Sequence, residues 1–198
     1  MKYEKYKKIL TTLPFTVSKI EIVGGGEPLL FPKINNLIFD IKKRNLFGSL
    51  ITNGVVLNKK ISGTLIKNNW NLVRISINAG SQNVYLKVNG VNYFDQVIEN
   101  IKYLLKIKKT SSNLKVGLHF VLQKINFLDL DNFLDLAEKL MVDFISFDTL
   151  IFNSKKSLLL STVQIKYLIV KLEKIKQNFP LENNAAETIC NLKREFLS

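Results

Sequence analysis

Five short apolar runs, alternating with amphipathic stretches at helical spacing, constrain this chain more than any other feature of its sequence. Lys19 to Val23, Gly48 to Ile51, Leu72 to Ile77, Leu114 to Leu122 and Val142 to Phe147 are brief and rich in β-branched or aromatic residues, as strands of a buried parallel sheet are. Between them, Ile34/Leu37/Ile38/Ile41, Phe94/Val97/Ile98/Ile101/Leu104/Leu105 and Leu130/Phe133/Leu134/Ala137/Leu140 repeat as one face of a helix does. Asn92 suits a cap for the second of these, with Asp95 in its first turn. Ser161-x-x-Gln164, a capping-box pattern, precedes Ile165/Leu168/Ile169/Leu172/Ile175, and Tyr3/Tyr6/Leu10/Leu13 predicts a helix at the start. Alternating strands and helices with right-handed crossovers give an α/β fold: a parallel sheet covered by helices, closed either as a doubly wound sheet or as a partial β/α barrel. Five strands are too few for the eight-stranded barrel. In both closures ligands gather beyond the carboxyl ends of the strands, so the residues just after each strand carry the functional signal.

Composition narrows the functional classes. With 46% hydrophobic residues among 198, the chain buries a core, and no Pro/Gly/Ser linker divides it. Residues 1–180 read as one domain and residues 181–198, with a short helix near Ala185 to Phe196, as a C-terminal helical tail or truncated extension. No apolar run reaches membrane-spanning length, and Met1 to Lys8 lacks the apolar region of a signal peptide, which predicts a cytoplasmic protein without a membrane partner. The net charge is +13, yet only Arg44, Arg74 and Arg194 are arginines. A lysine excess without bidentate guanidinium groups reads as solvated helix faces rather than a specific nucleic-acid site. Cys190 is the single cysteine, which allows neither an intramolecular disulfide nor a cysteine-only metal site; its neighbours Ile189 and Leu192 suggest a buried structural thiol.

The first strand ends in Val23-Gly24-Gly25-Gly26-Glu27-Pro28-Leu29-Leu30. Glycines there let the backbone approach a ligand, and Pro28 disfavours the α region for Glu27, extending the chain where a carboxylate must project. Pro32 suits the first turn of the following helix. The run fits neither GxGxxG nor the P-loop. The second strand ends in Ile51-Thr52-Asn53-Gly54, and the third lies in Val73-Arg74-Ile75-Ser76-Ile77-Asn78-Ala79-Gly80.

Taken in this order at successive strand ends, Gly-Gly-Glu-Pro, Thr-Asn-Gly and Arg-Ile-Ser-Ile-Asn resemble the radical S-adenosylmethionine (radical SAM) superfamily. The resemblance continues through Val84 to Gly90, Phe94 to Ile101 and Phe120 to Lys124, covers residues 1 to about 150, and is similar in phrasing to the peptide-modifying, SPASM-type members. It implies a partial (β/α)6 TIM-like barrel, truncated at its first strand. It implies that Gly24, Gly25, Gly26 and Glu27 hold the methionine end of S-adenosylmethionine, with Glu27 accepting from its ammonium. Ser76 would lie near the ribose and methionine carboxylate, Val121 and Gln123 near adenosine, and Phe147 near adenine, while Asn53 faces the substrate side or braces its loop. Asn78 stands where many relatives have aspartate and Met141 where glycine is usual, so neither position carries a role across.

The family's chemistry needs three thiolates in Cys-x-x-x-Cys-x-x-Cys to hold a [4Fe-4S] cluster, and this chain has none of them. By the resemblance, the segment that bears them would precede Met1, leaving Lys19 to Val23 as an open edge that invites self-association. The expected function is thus a SAM-binding core of an enzyme of reductive SAM cleavage and hydrogen abstraction from a peptide or small-molecule substrate, inactive as this chain alone. A non-catalytic SAM-pocket or partner-binding module is the alternative, and a basic nucleic-acid binder the third reading. His119, the sole histidine, is expected in the core or lumen, and Trp70 and Tyr85 as packing residues. Arg74 either pairs with a carboxylate across the sheet or reaches its end.

Overall fold

A computed structural model describes residues 3–108, 113–150 and 158–196. Among these the chain runs α1 (Tyr3–Thr12), β1 (Lys19–Ile22), α2 (Ile34–Lys43), β2 (Phe47–Thr52), α3 (Lys59–Lys67), β3 (Leu72–Ser76), α4 (Gln82–Asn89), α5 (Phe94–Lys108), β4 (Lys115–Leu122), α6 (Leu130–Leu140), β5 (Phe144–Thr149), α7 (Thr162–Asn178) and α8 (Ala185–Phe196). The strands pair in sequence order, β1-β2-β3-β4-β5, and every pairing is parallel. This open five-stranded sheet under helices is the partial-barrel arrangement expected from the alternation and the resemblance, with β1 at its edge.

Register divides the sheet into two chemically different faces, because successive side chains of a strand point opposite ways. One carries Leu50, Val73, Ile75, Val116, Leu118, Phe120, Ile145 and Phe147, all buried against helix residues such as Ile38, Ile41, Leu65, Ile101 and Phe133. The other carries Glu21, Ser49, Arg74, Ser76, His119, Ser146 and Asp148. This second face is the lumen side of the partial barrel, and its polar lining was hidden from a reading that treated the strands as uniformly apolar. Near the other edge, Ile145 N–H donates to the Glu182 carbonyl and Asn184 brackets both backbone groups of Phe147, so the segment leading into α8 continues the sheet beyond β5.

Several local expectations change. Two helices, not one, link β3 to β4, because Gly90 adopts a left-handed conformation that stops α4. Val142 stays outside β5: Met141, left-handed at φ 55°, turns the chain between α6 and the strand, and β5 begins at Phe144. Pro28 rather than Pro32 opens a helical turn, the 3-10 segment Pro28–Leu30. Cys190 is exposed on α8, contrary to the buried thiol expected, because Ile189 and Leu192 take the inward face. Asn92 caps α5 only weakly, its Oδ1 lying 3.5 Å from Phe94 N. The capping box at Ser161 and Gln164 forms as its spacing requires, and Trp70 and Tyr85 are buried.

Candidate functional site

The loops after β1, β2 and β3 meet at the carboxyl end of the sheet around a cleft of about 330 Å³ lined by Val23, Gly24, Gly26, Glu27, Pro28, Ile51, Thr52, Asn53 and Ser76. Four of the sequence-derived candidates, Gly24, Gly26, Glu27 and Ser76, therefore share one wall system, and Asn53 joins them. Gly25 sits at the tip of the same turn; added Cβ atoms at Gly25 and Gly26 would find nothing within 4 Å. No amide or carbonyl of Gly24, Gly25 or Gly26 is engaged by another described residue. The turn thus offers bare backbone donors and acceptors to whatever enters the cleft.

Glu27 is extended at φ −78°, ψ 113°, as the following proline demands. Its Oε1 accepts from Leu29 N at 2.9 Å and from the Thr52 hydroxyl at 2.7 Å, and its Oε2 accepts from Asn53 N at 2.8 Å. The carboxylate consequently ties the β1 loop to the β2 loop before any ligand arrives. A carboxylate has about four lone-pair sites, so three are used and one, on Oε2, is left for a ligand. Asn53 Oδ1 accepts from Val55 N at 3.0 Å, which is the loop-bracing role. Sequence reasoning missed Thr52, whose side chain lies on the helix side of the sheet yet reaches Glu27 because it ends its strand.

Val121 and Gln123 stand apart from these residues. Val121 continues the polar face of β4, across from Asp148, and its N–H donates to Asn78 Oδ1 at 2.8 Å. Gln123 is buried past the strand end with its N–H given to Asn126 Oδ1 at 2.9 Å. Asn126 also donates to the carbonyls of Asn78 and Val121, so two asparagines knit the β3 and β4 loops together. Asn78 holds φ 55°, a left-handed position that asparagine tolerates. Phe147 faces the helices, its ring 6.0 Å from that of Phe133, and not the lumen; odd and even positions of β5 decide this.

Below the cleft, His119 Nδ1 lies 2.9 Å from Ser146 Oγ and Nε2 lies 3.3 Å from Asp148 Oδ2. Burial, reinforced by the charge of Arg74, pushes the His119 imidazole down to about 4, so it is neutral near pH 7; its contact with Ser146 opposes the shift. Burial raises Asp148 and Arg74 partly reverses that.

The sequence profile of the Radical SAM superfamily matches residues 1–137. The chain belongs to the radical SAM superfamily. It is 32% identical over 126 residues to the probable GTP 3',8-cyclase of Methanocaldococcus jannaschii, 63% of this chain and 40% of that protein. To the probable GTP 3',8-cyclase of Saccharolobus islandicus it is 28% identical over 130 residues, 65% and 40% of the two chains. The chain thus spans about two fifths of the length of these curated relatives. Among solved structures, Streptococcus suis SuiB bound to S-adenosylmethionine aligns over 84% of this chain and 39% of that one, with TM-score 0.66 and 17% identity. The enzyme anSMEcpe with bound AdoMet and Kp18Cys peptide aligns over 90% and 53%, with TM-score 0.65 and 16% identity. At these identities the likeness is one of fold.

The residues present fit S-adenosylmethionine and do not fit the cluster. Free backbone groups at Gly24 to Gly26, one open acceptor on Glu27 and the Ser76 hydroxyl are what an amino-acid end requires. For the [4Fe-4S] group there is one thiol, Cys190, remote on α8, and among the described residues no cluster of three or more His, Cys, Asp or Glu side chains could hold a metal ion.

Proposed function

We propose that this chain is a SAM-binding radical SAM core whose cleft at Gly24, Gly25, Gly26, Glu27 and Ser76 takes the methionine end of S-adenosylmethionine. The free glycine backbone around the cleft is the observation that carries this reading. The ammonium would meet the remaining Oε2 acceptor of Glu27 and the unused glycine carbonyls; Ser76 Oγ would donate to the carboxylate. Val121 contributes an apolar side chain on the adenosine side, with Gln123 behind it, and Asn53 braces the loop. In the family, reductive SAM cleavage and hydrogen abstraction is the chemistry a bound cluster supplies. These 198 residues bind and orient, and do not by themselves hold that cluster. A cytoplasmic location belongs to the same reading; among the described residues no helix is long and apolar enough to cross a membrane. The relatives' names point to two substrate classes, a nucleotide for the GTP 3',8-cyclases and a peptide for SuiB, crystallised with its precursor peptide SuiA, and for anSMEcpe.

Titration calorimetry of S-adenosylmethionine into wild type, Glu27→Gln and Ser76→Ala tests the assignment. A charge-assisted bond contributes roughly 1.5 to 3 kcal/mol, so Glu27→Gln is expected to weaken binding about tenfold or more, and Ser76→Ala less. Thermal denaturation of each variant separates ligand loss from loosening of the Glu27 tie. Absence of any binding to wild type would overturn the reading, and unchanged affinity in Glu27→Gln would overturn the role of that residue. Anaerobic treatment of the same polypeptide with iron and sulfide is expected to leave no stoichiometric iron after desalting, because one thiolate cannot replace three. Retained iron with a cluster absorption band would contradict this.

A further inference from the structure

Arg74 is a charged group on the polar face that makes no hydrogen bond or ion pair with another described residue, although its charge is felt at His119 and Asp148. It lies in the middle of β3, opposite Ile51 on β2 and Gly117 on β4, on the same face as Ser76 two residues further on. Its Nε is buried with no hydrogen-bond partner, and its guanidinium donates to no described residue. The carboxylates on this face do not pair with it: Glu21 accepts from the Ser49 hydroxyl at 2.9 Å and lies 3.9 Å from Lys19, and Asp148 turns to His119 and stays 61% exposed. Arg74 as a residue is half-buried, but a buried donor such as its Nε–H without a partner is rare and signals an unseen water, ion or ligand.

We propose that Arg74 anchors an oxyanion of the second reactant, a carboxylate or a phosphate ester, on the lumen face directly beneath the S-adenosylmethionine cleft. Three observations converge on this. Two residues of strand separate Arg74 from Ser76, roughly 6.6 Å, so a group held at Arg74 lies under a ligand that touches Ser76 rather than beside it. The guanidinium presents a planar fork of donors suited to two oxygens of one anion. The neighbouring His119 is neutral near pH 7 and adds no competing charge. The inference rests on the SAM-cleft reading for the word reactant, and on Arg74 alone for the anion.

The arginine Nε–H signals of the full chain provide the test, with Arg74 assigned by its loss in Arg74→Lys. Titrations use inorganic phosphate, sodium acetate, and sodium chloride at matched ionic strength. A saturable shift of the Arg74 signal, with Arg44 and Arg194 unmoved or drifting linearly, is the expected result. Saturation by phosphate alone indicates a phosphate ester, by acetate alone a carboxylate, and either supports the site. The His119 ring signals should follow the same isotherm in wild type, weaken severalfold in Arg74→Lys and lose it in Arg74→Gln. Shifts that match the chloride control, or that persist in both variants, overturn the proposal; if Arg74→Gln does not fold, Arg74→Lys decides. S-adenosylmethionine affinity should change less than about twofold in Arg74→Lys. Wild type that saturates with phosphate or acetate while failing to bind S-adenosylmethionine removes the SAM reading and leaves the anion site standing.

Discussion

Gly80→Ala is expected to destabilise the protein by about 3 kcal/mol or more, which for a chain of this size lowers Tm by roughly 6 to 12 °C. A Cβ at Gly80 would lie 2.0 Å from Phe133 N and 2.2 Å from Asn132 C, the backbone at the start of α6. Those atoms cannot rotate away as a flexible side chain can, so either α6 or the loop after β3 must move. Movement has a second cost, because Gly80 N–H and Ser81 N–H donate to Asp129 Oδ2 at 2.6 and 3.0 Å, while the Ser81 hydroxyl and Asn132 Nδ2 reach Oδ1. Asp129 is buried, and each lost partner leaves a desolvated acceptor. Gly63 is the internal control: it lies in α3 with open space around an added Cβ, so Gly63→Ala should stabilise by about 0.5 to 1 kcal/mol. Urea denaturation of both variants measures the contrast, and equal midpoints for Gly80→Ala and wild type would show that the α6 contact is loose.

Between pH 7 and pH 4 the protein should lose about 3 kcal/mol of stability on account of His119. The imidazole is neutral and buried in the fold, its pKa lowered to about 4 first by burial and then by Arg74, against about 6.5 in an unfolded chain. The unfolded chain therefore takes up a proton as pH falls through 6.5 while the folded one does not. The contribution is whole above about pH 6.5, declines as pH falls, and is exhausted near pH 4, where the folded state protonates too. Asp148 acts the other way: burial raises its pKa, so its earlier protonation in the fold returns part of the loss at the acid end. Denaturant midpoints measured from pH 7.5 to pH 4 in wild type and His119→Gln separate the two. The variant should have the flatter profile, and parallel profiles would mean that His119 is solvated.

The relation of Glu27 to its surroundings shows how a sequence motif and a fold divide the work. Gly-Gly-Glu-Pro was readable because each residue type has a local consequence: bare backbone, a carboxylate, and an extended conformation forced by proline. That the carboxylate also reaches Thr52 and Asn53 depends on where β2 ends beside β1, and contacts between residues 25 and 26 positions apart leave no trace in local pattern. The same holds for Asp129 and Asn126, whose side chains organise loops far from them in sequence and which no motif distinguished.

By itself the sequence determined the alternation of five strands with helices, the parallel and sequential sheet, the family and the strand-end residues at the cleft, because periodicity, turn chemistry and strand-end motifs are written in consecutive residues. Only the tertiary structure decided which face each strand residue takes. It placed Phe147 among the helices rather than near a ligand, turned Cys190 outward, and gathered Glu21, Arg74, His119 and Asp148 onto one polar face. The physical reason is the two-residue period of a strand: a shift of one position exchanges core for lumen, and that choice is fixed by pairing register and helix packing across the whole sheet.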